Sequence, residues 1–305
     1  MNTVKNTPIA ISGLMLALFS LGSYLNRYVN NFNILIGFFA VIILTLLLLK
    51  VIFYPEESIH EFDNVIVAST SGTFSMGLMM FSTYFINYNT TISFMIWIIS
   101  VFLHVLLICY FTYNYVIHNY NLENVYPSYW IVYIGISMAS ITGQSYMGNY
   151  NYIFFLFGFI MMFPTLILVS YRYLTKKVTN DAFKPLICIY TAILSILIVA
   201  YVNSFEMLSY DFLIVMYSFA VLFYIFALYK FIEYRHLSFY PSYSAYSFPF
   251  VISLVATYNM YNIFHVPILE YLLIIETIIA IFCVCYVSYE YVKNVYLKHI
   301  MKKIV

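Results

Sequence analysis

Long apolar runs along the chain alternate with short breaks rich in charged residues and asparagine. Each run approaches the ~20 residues that an α-helix needs to cross a bilayer. The pattern therefore predicts an all-α membrane protein with ten transmembrane helices. They span residues 8–25, 33–53, 65–85, 91–113, 127–145, 152–171, 185–202, 211–230, 245–264 and 267–290.

The amino-acid composition indicates that lipid covers part of the protein surface. The 305 residues are 64% hydrophobic and 8% charged, whereas a soluble domain usually has about 25% charged residues. Ten spans leave no length for a separate soluble domain, so residues 1–305 are expected to form one transmembrane domain in the lipid bilayer. The net charge of +1 gives no reason to expect a nucleic-acid partner.

Basic residues predict the orientation of the spans. Twelve of the 13 Lys and Arg residues would lie on one side of the membrane, and only Arg27 would lie on the other. Basic loops stay on the cytoplasmic side. Both termini are therefore expected to be cytoplasmic, in a multi-pass protein of the plasma membrane.

The odd-numbered and even-numbered spans differ in residue size. Gly, Ala, Ser and Thr make up 34 of 96 residues in the odd spans and 16 of 108 in the even spans. Small and hydroxyl residues belong where helices approach closely or where water enters. The simplest arrangement is five helical hairpins, with the odd helices as an inner ring and the even helices outside.

Such an inner ring would enclose a pore, although the same small residues would also permit tight packing in a solid bundle. No Lys, Arg, Asp or Glu lies well inside an odd span, which suits small anions that are held loosely. The residues predicted to line the pore are Ser12, Gly13, Ser20, Ser71, Thr73, Ser75, Ser137, Ser140, Thr191, Ser195 and Ser253.

Four motifs on the odd spans carry a family resemblance. They are Pro8–Gly22, Ala68–Met76, Tyr126–Gly135 and Ala245–Phe250. The chain resembles the tellurite-resistance/dicarboxylate transporter family, which includes a bacterial tellurite-resistance anion channel and the plant slow anion channels. Its third and fifth spans are most similar to a Gram-positive subgroup labelled "exfoliative toxin A/B". The resemblance implies ten helices around a pore in each subunit of a homotrimer.

The resemblance also implies a gate on the ninth span. A phenylalanine there occludes the pore of channel members, and Phe248 is the matching position, with Phe250 as the competing one. A bulky apolar ring blocks a narrow neutral pore sterically and by dewetting. Pro249 is expected to bend the gate helix by removing a hydrogen bond one turn earlier. Many members also have a proline in span seven, which residues 189–195 lack.

Two titratable residues fall near the middle of even spans, Glu276 in span ten and His104 in span four. A charge at that depth costs about 2.5–3.5 kcal/mol on insertion scales. Each is therefore either a proton-coupling site or a polar side chain that forms hydrogen bonds between helices or subunits. The position on outer helices favours the second interpretation.

No catalytic constellation is recognisable. The chain has no HExxH pair and no GxSxG turn, and its six histidines form no ligand spacing with cysteine. No enzyme activity, cofactor or metal is therefore expected. The sequence favours a passive channel or facilitator for small anions. The alternatives are a proton-coupled carrier of dicarboxylates or sulfite-like oxyanions and, from another class, a membrane-embedded enzyme or scaffold.

Overall fold

A computed structural model describes residues 2–297, without the side chains of Asn2 and Asn149. In this range the chain forms helices and no strand. The long helical segments are α1 (Ile9–Leu25), α2 (Phe32–Phe53), α3 (Val65–Phe85), α4 (Thr90–His118), α5 (residues 129–147), α6 (Tyr152–Thr175), α7 (Asp181–Ser204), α8 (Tyr210–Tyr234), α9 (Phe248–Phe264) and α10 (Pro267–Leu297). Two short helices, Asn2–Lys5 and Pro55–Glu61, precede α1 and follow α2.

Seven of these segments are long and apolar enough to cross a membrane: α2, α3, α4, α6, α7, α8 and α10. The segment α1 is also apolar but shorter. This confirms an all-α protein with several membrane-spanning helices. The segments α5 and α9 fall outside that set, because α5 is interrupted and α9 has 17 residues.

Every odd-numbered segment is interrupted or begins with a 3₁₀ turn. The segment α1 opens with Ile9–Ile11, α3 breaks at Ser71 and α5 breaks at Ile134. The segment α7 is 3₁₀ over Asp181–Ile189, and the turn Pro241–Tyr246 precedes α9. The even segments run as continuous α-helix, with π-helical last turns in α4 and α10. Interrupted backbone at membrane depth is tolerated only against protein or a cavity, so the odd segments belong inside.

Packing between segments follows the same division. Each odd segment packs against the even segment that follows it, as α1 does with α2 and α9 with α10. The odd segments also pack against one another, in the order α1, α3, α5, α7, α9 and back to α1.

Burial separates the two sets. In the apolar windows of α3 and α7, 72% and 89% of residues are buried, against 28–33% in the five even segments. The exposed large apolar side chains lie mainly on the even segments, for example Phe38 of α2 and Ile278 of α10. These are the side chains that lipid covers in a membrane.

One end of the molecule carries the basic residues. Lys5 pairs with Glu57 at 2.6 Å, and this hydrogen bond raises the pKa of Lys5 and lowers the pKa of Glu57. At the same end Lys50 is buried, donates to the carbonyl of Thr7 at 2.7 Å and pairs with Glu61. We call this the basic end. Lys298, Lys302 and Lys303, which were assigned to it from the sequence, lie outside the described residues.

Candidate functional site

A narrow cavity lies between the odd segments. Its free volume is about 40 Å³, and each odd segment contributes to its wall. Gly13 comes from α1, Thr73 from α3, Ile134 from α5 and Ile189 from α7, while Phe248 begins α9. We call it the central cavity. It sits at the level of the helix interruptions, because the residues that flank those interruptions form its wall.

The wall of the central cavity is mainly apolar and carries no charged side chain. Its polar side chains are Thr70, Thr73, Ser244 and Trp130. Thr70 donates to the carbonyl of Ile66 at 2.7 Å, so its proton is already used. Trp130 is 2% exposed, and its indole Nε1 has no hydrogen-bond partner among the described residues. A buried N–H group without a partner is unusual, and Trp130 belongs to the cavity wall.

Phe248 lies at the basic end of α9, where the 3₁₀ turn gives way to α-helix. The junction residue Ser247 has φ −104° and ψ −82°. Its hydroxyl donates to the carbonyl of Ser244 at 2.6 Å, which stabilises the turn. The ring of Phe248 is 5% exposed and forms part of the cavity wall.

Pro249 lies at the start of α9 and not in the middle of a helix. It is the second residue of α9, where the backbone N–H of a helix has no intrahelical partner and proline is tolerated. The 245–264 span is thus not one continuous α-helix, and the part that Pro249 plays in bending the gate helix stays a prediction. The change of direction occurs at Ser247, before the helix starts.

Phe250 faces away from the central cavity. Its ring packs edge-on against Tyr224 and Phe231 of α8, at centroid distances of 5.6 and 5.9 Å. It is fully buried and forms no part of the cavity wall. Of the two candidate gate residues, the structure brings only Phe248 to the cavity.

Two of the predicted pore-lining hydroxyls, those of Ser12 and Ser71, bond to the helix interruptions instead. Ser12 donates to the carbonyl of Ile9 at 2.8 Å, and its oxygen lies 2.7 Å from that of Thr73. Ser71 donates to the carbonyl of Ala68 at 2.7 Å. Such bonds satisfy carbonyl groups that the interrupted helices leave free. Among the predicted residues, Gly13 and Thr73 line the central cavity.

The other predicted residues fall in three kinds of place. Ser137 and Ser140 donate to backbone carbonyls of Phe154 and Asn151, and Ser195 donates to the carbonyl of Thr191. Ser20 and Thr191 are buried with hydroxyls that have no partner in the described chain. The remaining two lie beside the titratable residues of the outer helices: the Ser75 hydroxyl is 2.7 Å from Nδ1 of His104, and Ser253 lies close to Glu276.

His104 connects α4 to the interruptions of α3 and α5. Its Nδ1 lies 2.7 Å from the hydroxyl of Ser75, and its Nε2 lies 3.1 Å from the carbonyl of Val132. Glycines leave room for the ring: a Cβ added to Gly135 would lie 3.1 Å from its Cε1. Because α5 breaks at Ile134, a side chain from the outer helix supplies the hydrogen bond near the break.

Glu276 makes the corresponding connection at α9. It is 4% exposed, and its Oε1 accepts from the hydroxyl of Thr257 at 3.0 Å. The Tyr217 hydroxyl lies 2.9 Å from that same threonine, which links α8, α9 and α10. The second oxygen, Oε2, has no partner among the described residues. Neither Glu276 nor His104 lines the central cavity.

Residues 7–292 match the family model described as voltage-dependent anion channel. The chain belongs to that family. A search of curated proteins finds no match.

The voltage-dependent anion channel family is the tellurite-resistance/dicarboxylate transporter family that the four motifs resemble, so the resemblance is confirmed. Its members are transporters and channels, which makes this chain a multi-pass transmembrane protein of anion transport. Within residues 2–297 no three His, Cys, Asp or Glu side chains are grouped as a metal site.

Sequence reasoning missed part of the cavity wall. Thr70 is adjacent to the predicted Ser71, and Ser244 directly precedes the ninth-span motif Ala245–Phe250. Trp130 is one of two tryptophans in the chain and lies inside the fifth-span motif. A large polar aromatic in a span rich in small residues was the available signal for it.

Proposed function

We propose that the protein is a channel-like facilitator for small anions, with a path along the inside of a ring formed by α1, α3, α5, α7 and α9. Ten crossings with both termini in the cytoplasm would give this ring and an outer ring of even helices. The cyclic packing of the odd segments supports it, because each contacts the next and α9 contacts α1. The observation that carries the proposal is the shared cavity with Phe248 in its wall.

Phe248 acts as the gate in this proposal. A phenyl ring inside a narrow apolar cavity excludes a hydrated ion sterically and leaves no favourable hydration for a bare one. The junction at Ser247 supplies a hinge, because a 3₁₀ turn and an α-helix meet there with no continuous hydrogen-bond ladder. Rotation at this junction would move the ring out of the path.

The uncharged wall favours rapid passage over tight binding. With no Lys or Arg in the cavity, a passing anion meets no strong electrostatic trap. The unpartnered Nε1–H of Trp130 is the donor available to such an anion. A site with one hydrogen-bond donor and no bidentate arginine discriminates weakly among anions. Several small anions are therefore expected to permeate.

A planar-bilayer recording tests this function. The wild-type protein is expected to carry a small current whose reversal potential follows the chloride or nitrate gradient. Phe248→Ala should increase that current without changing the anion selectivity. The absence of anion current and of anion flux in both proteins would contradict the proposal.

Glu276 supports a second candidate, a proton-coupled carrier of dicarboxylates or sulfite-like oxyanions. Its Oε2 is buried without a partner directly behind the gate helix, so loading a proton there would alter the contacts of α9. Uptake into proteoliposomes should then follow a pH gradient, and Glu276→Gln should abolish that dependence. A panel of chloride, nitrate, sulfite and malate, each with and without a gradient, separates the two candidates. Uptake that does not depend on the pH gradient would rule out the carrier and favour the channel.

The assembly proposed with this function is a homotrimer in the plasma membrane, with one pore in each subunit and residues 1–305 as a single transmembrane domain. Family membership supports the trimer and the arrangement of the pores. The basic end supports a cytoplasmic orientation of the termini, since nine described basic residues other than Arg27 lie toward it.

A further inference from the structure

A lateral groove opens between α6 and α8 at the basic end of the molecule. It is open to the outside and has a free volume of about 720 Å³, and α7 forms its floor. Both outer helices pack on α7 rather than closely on each other. Lys176, Lys177 and Lys230 line this groove together with Phe223 and Phe226. We call it the lysine groove.

We propose that the lysine groove binds a phospholipid with an anionic headgroup, its phosphate at the lysines and an acyl chain along the aromatic wall. This site is separate from the central cavity and does not depend on which solute the protein carries.

The charge in the groove is only partly compensated. Lys176 pairs with Glu123 at 3.3 Å and Lys230 pairs with Glu233 at 2.7 Å, and neither carboxylate lines the groove. Lys177 has no ion pair within the described part of the chain. Basic pockets between transmembrane helices on the cytoplasmic side suit anionic headgroups, because the surface there is already rich in anionic lipid.

One residue of the groove wall also has a buried hydroxyl without a partner. Tyr173 lines the groove, and its hydroxyl forms no hydrogen bond with any described residue. The neighbouring hydroxyl of Tyr190 is already 3.0 Å from that of Ser170. The ester or phosphate oxygens of a lipid are acceptors, and one of them would satisfy the Tyr173 donor.

The remaining wall suits a hydrocarbon chain. Leu174 is 87% exposed and Phe226 is 37% exposed, although both border the groove. The exposed apolar side chains match the acyl chain of a phospholipid, and the lysine amines beside them match its anionic headgroup. A second copy of the chain that used the same face would bring like charges together. The observations therefore favour lipid over a neighbouring subunit.

A lipid in the groove would touch the helix that also forms the cavity wall. Leu186 and Ile189 of α7 face the central cavity, whereas Ile187 and Tyr190 face the groove. These residues lie at the junction of the 3₁₀ and α-helical parts of α7. An occupied groove would therefore stabilise one position of the cavity wall.

Native mass spectrometry of the full chain in detergent tests the proposal, with equal amounts of phosphatidylglycerol and phosphatidylcholine added. The wild type should retain phosphatidylglycerol preferentially. The double variant Lys177→Gln/Lys230→Gln should weaken that retention by about fivefold for each lysine, in line with the ~1 kcal/mol that each basic residue contributes near an anionic surface. Lys293→Gln is the matched control, because Lys293 is exposed at the same end on α10 and lies outside the groove.

Four outcomes would overturn the proposal. One is a wild type with no preference for phosphatidylglycerol, and another is an equal loss of preference in Lys293→Gln. Displacement of the lipid by millimolar glycerol phosphate would indicate a site for free phosphate. A disulfide between two copies through Leu174→Cys in vesicles would show that a second subunit occupies the groove. Selective loss in the double variant, with Lys293→Gln unchanged, supports the lipid site.

Discussion

The segments α7 and α2 are both apolar enough to cross a membrane, yet they have different surroundings. In α7 89% of the apolar window is buried, and in α2 33% is. The segment α7 begins as a 3₁₀ helix with Pro185 inside it, whereas α2 is an uninterrupted α-helix of 22 residues. Hydropathy therefore identifies the helices that enter the membrane, but it does not tell which of them are surrounded by protein and which face lipid. Interruptions of the backbone distinguish the two, because a membrane helix can lose its own hydrogen bonds only where protein surrounds it.

Matched phenylalanines should show the largest difference between the two sets of helices. Phe19 of α1 is fully buried, with ring centroids of Phe81 and Tyr84 at 5.2 and 5.3 Å. Phe19→Ala should cost about 3–5 kcal/mol of unfolding free energy, because a cavity remains in a packed core. Phe38→Ala, on the exposed face of α2, should change it by less than about 0.5 kcal/mol. Unfolding of both variants in mixed micelles measures the difference, and equal losses would contradict the division into inner and outer helices.

The sequence assigned both α3 and α7 to the inner set, but residue size marked α3 far more clearly than α7. The polar run of residues 68–77 marked α3 as internal. The segment α7 carries few small residues, but it is the most buried of the described spans. It packs with Leu197, Ile198 and Val199 instead, and large aliphatic residues look the same beside protein as beside lipid.

The candidate site was predictable in outline but not in the direction of its hydroxyls. Phe248 and Gly13 reach the central cavity as expected. Hydroxyl side chains such as Ser12 and Ser71 turn to the backbone because their helices break beside them. Sequence spacing predicts which side chains share a face of a regular α-helix. A 3₁₀ turn has fewer residues per turn, so the side chains that follow it point in other directions. The cavity is consequently more apolar than the composition of the odd helices suggested.

His104 should give the next largest effect. It is the outer-helix side chain that bonds the interrupted backbone of α5, through the carbonyl of Val132. His104→Ala should cost about 1–3 kcal/mol, because it leaves a buried acceptor unsatisfied. It should also reduce anion flux, since Ile134 and Gly135 of the same turn line the cavity.

Cys109→Ala on the same helix is the control, because Cys109 is exposed and unbonded. Flux and unfolding temperature should stay at the wild-type value there. A His104→Ala variant as stable as Cys109→Ala would show that the outer helices do not support the interruptions.

A smaller effect is expected from the hydroxyl pair at the α1–α3 contact. Ser12→Ala removes the 2.7 Å contact with Thr73 and the bond to Ile9. The expected loss is about 0.5–1.5 kcal/mol, which is the usual net contribution of a hydrogen bond. Ser218→Ala on the outer helix α8 should be neutral, because its exposed hydroxyl bonds only its own helix at Ile214. Denaturant midpoints compare the two, and a greater loss in Ser218→Ala would reverse the comparison.

The gate is tested most directly by two adjacent phenylalanines on one helix. Phe248 is in the wall of the central cavity, while Phe250 packs on the outer helix α8. Anion current through bilayers, normalised to the amount of reconstituted protein, should rise strongly for Phe248→Ala and should not rise for Phe250→Ala. A current that increases equally in both variants, or only in Phe250→Ala, would contradict the proposal that Phe248 closes a path along the inner ring.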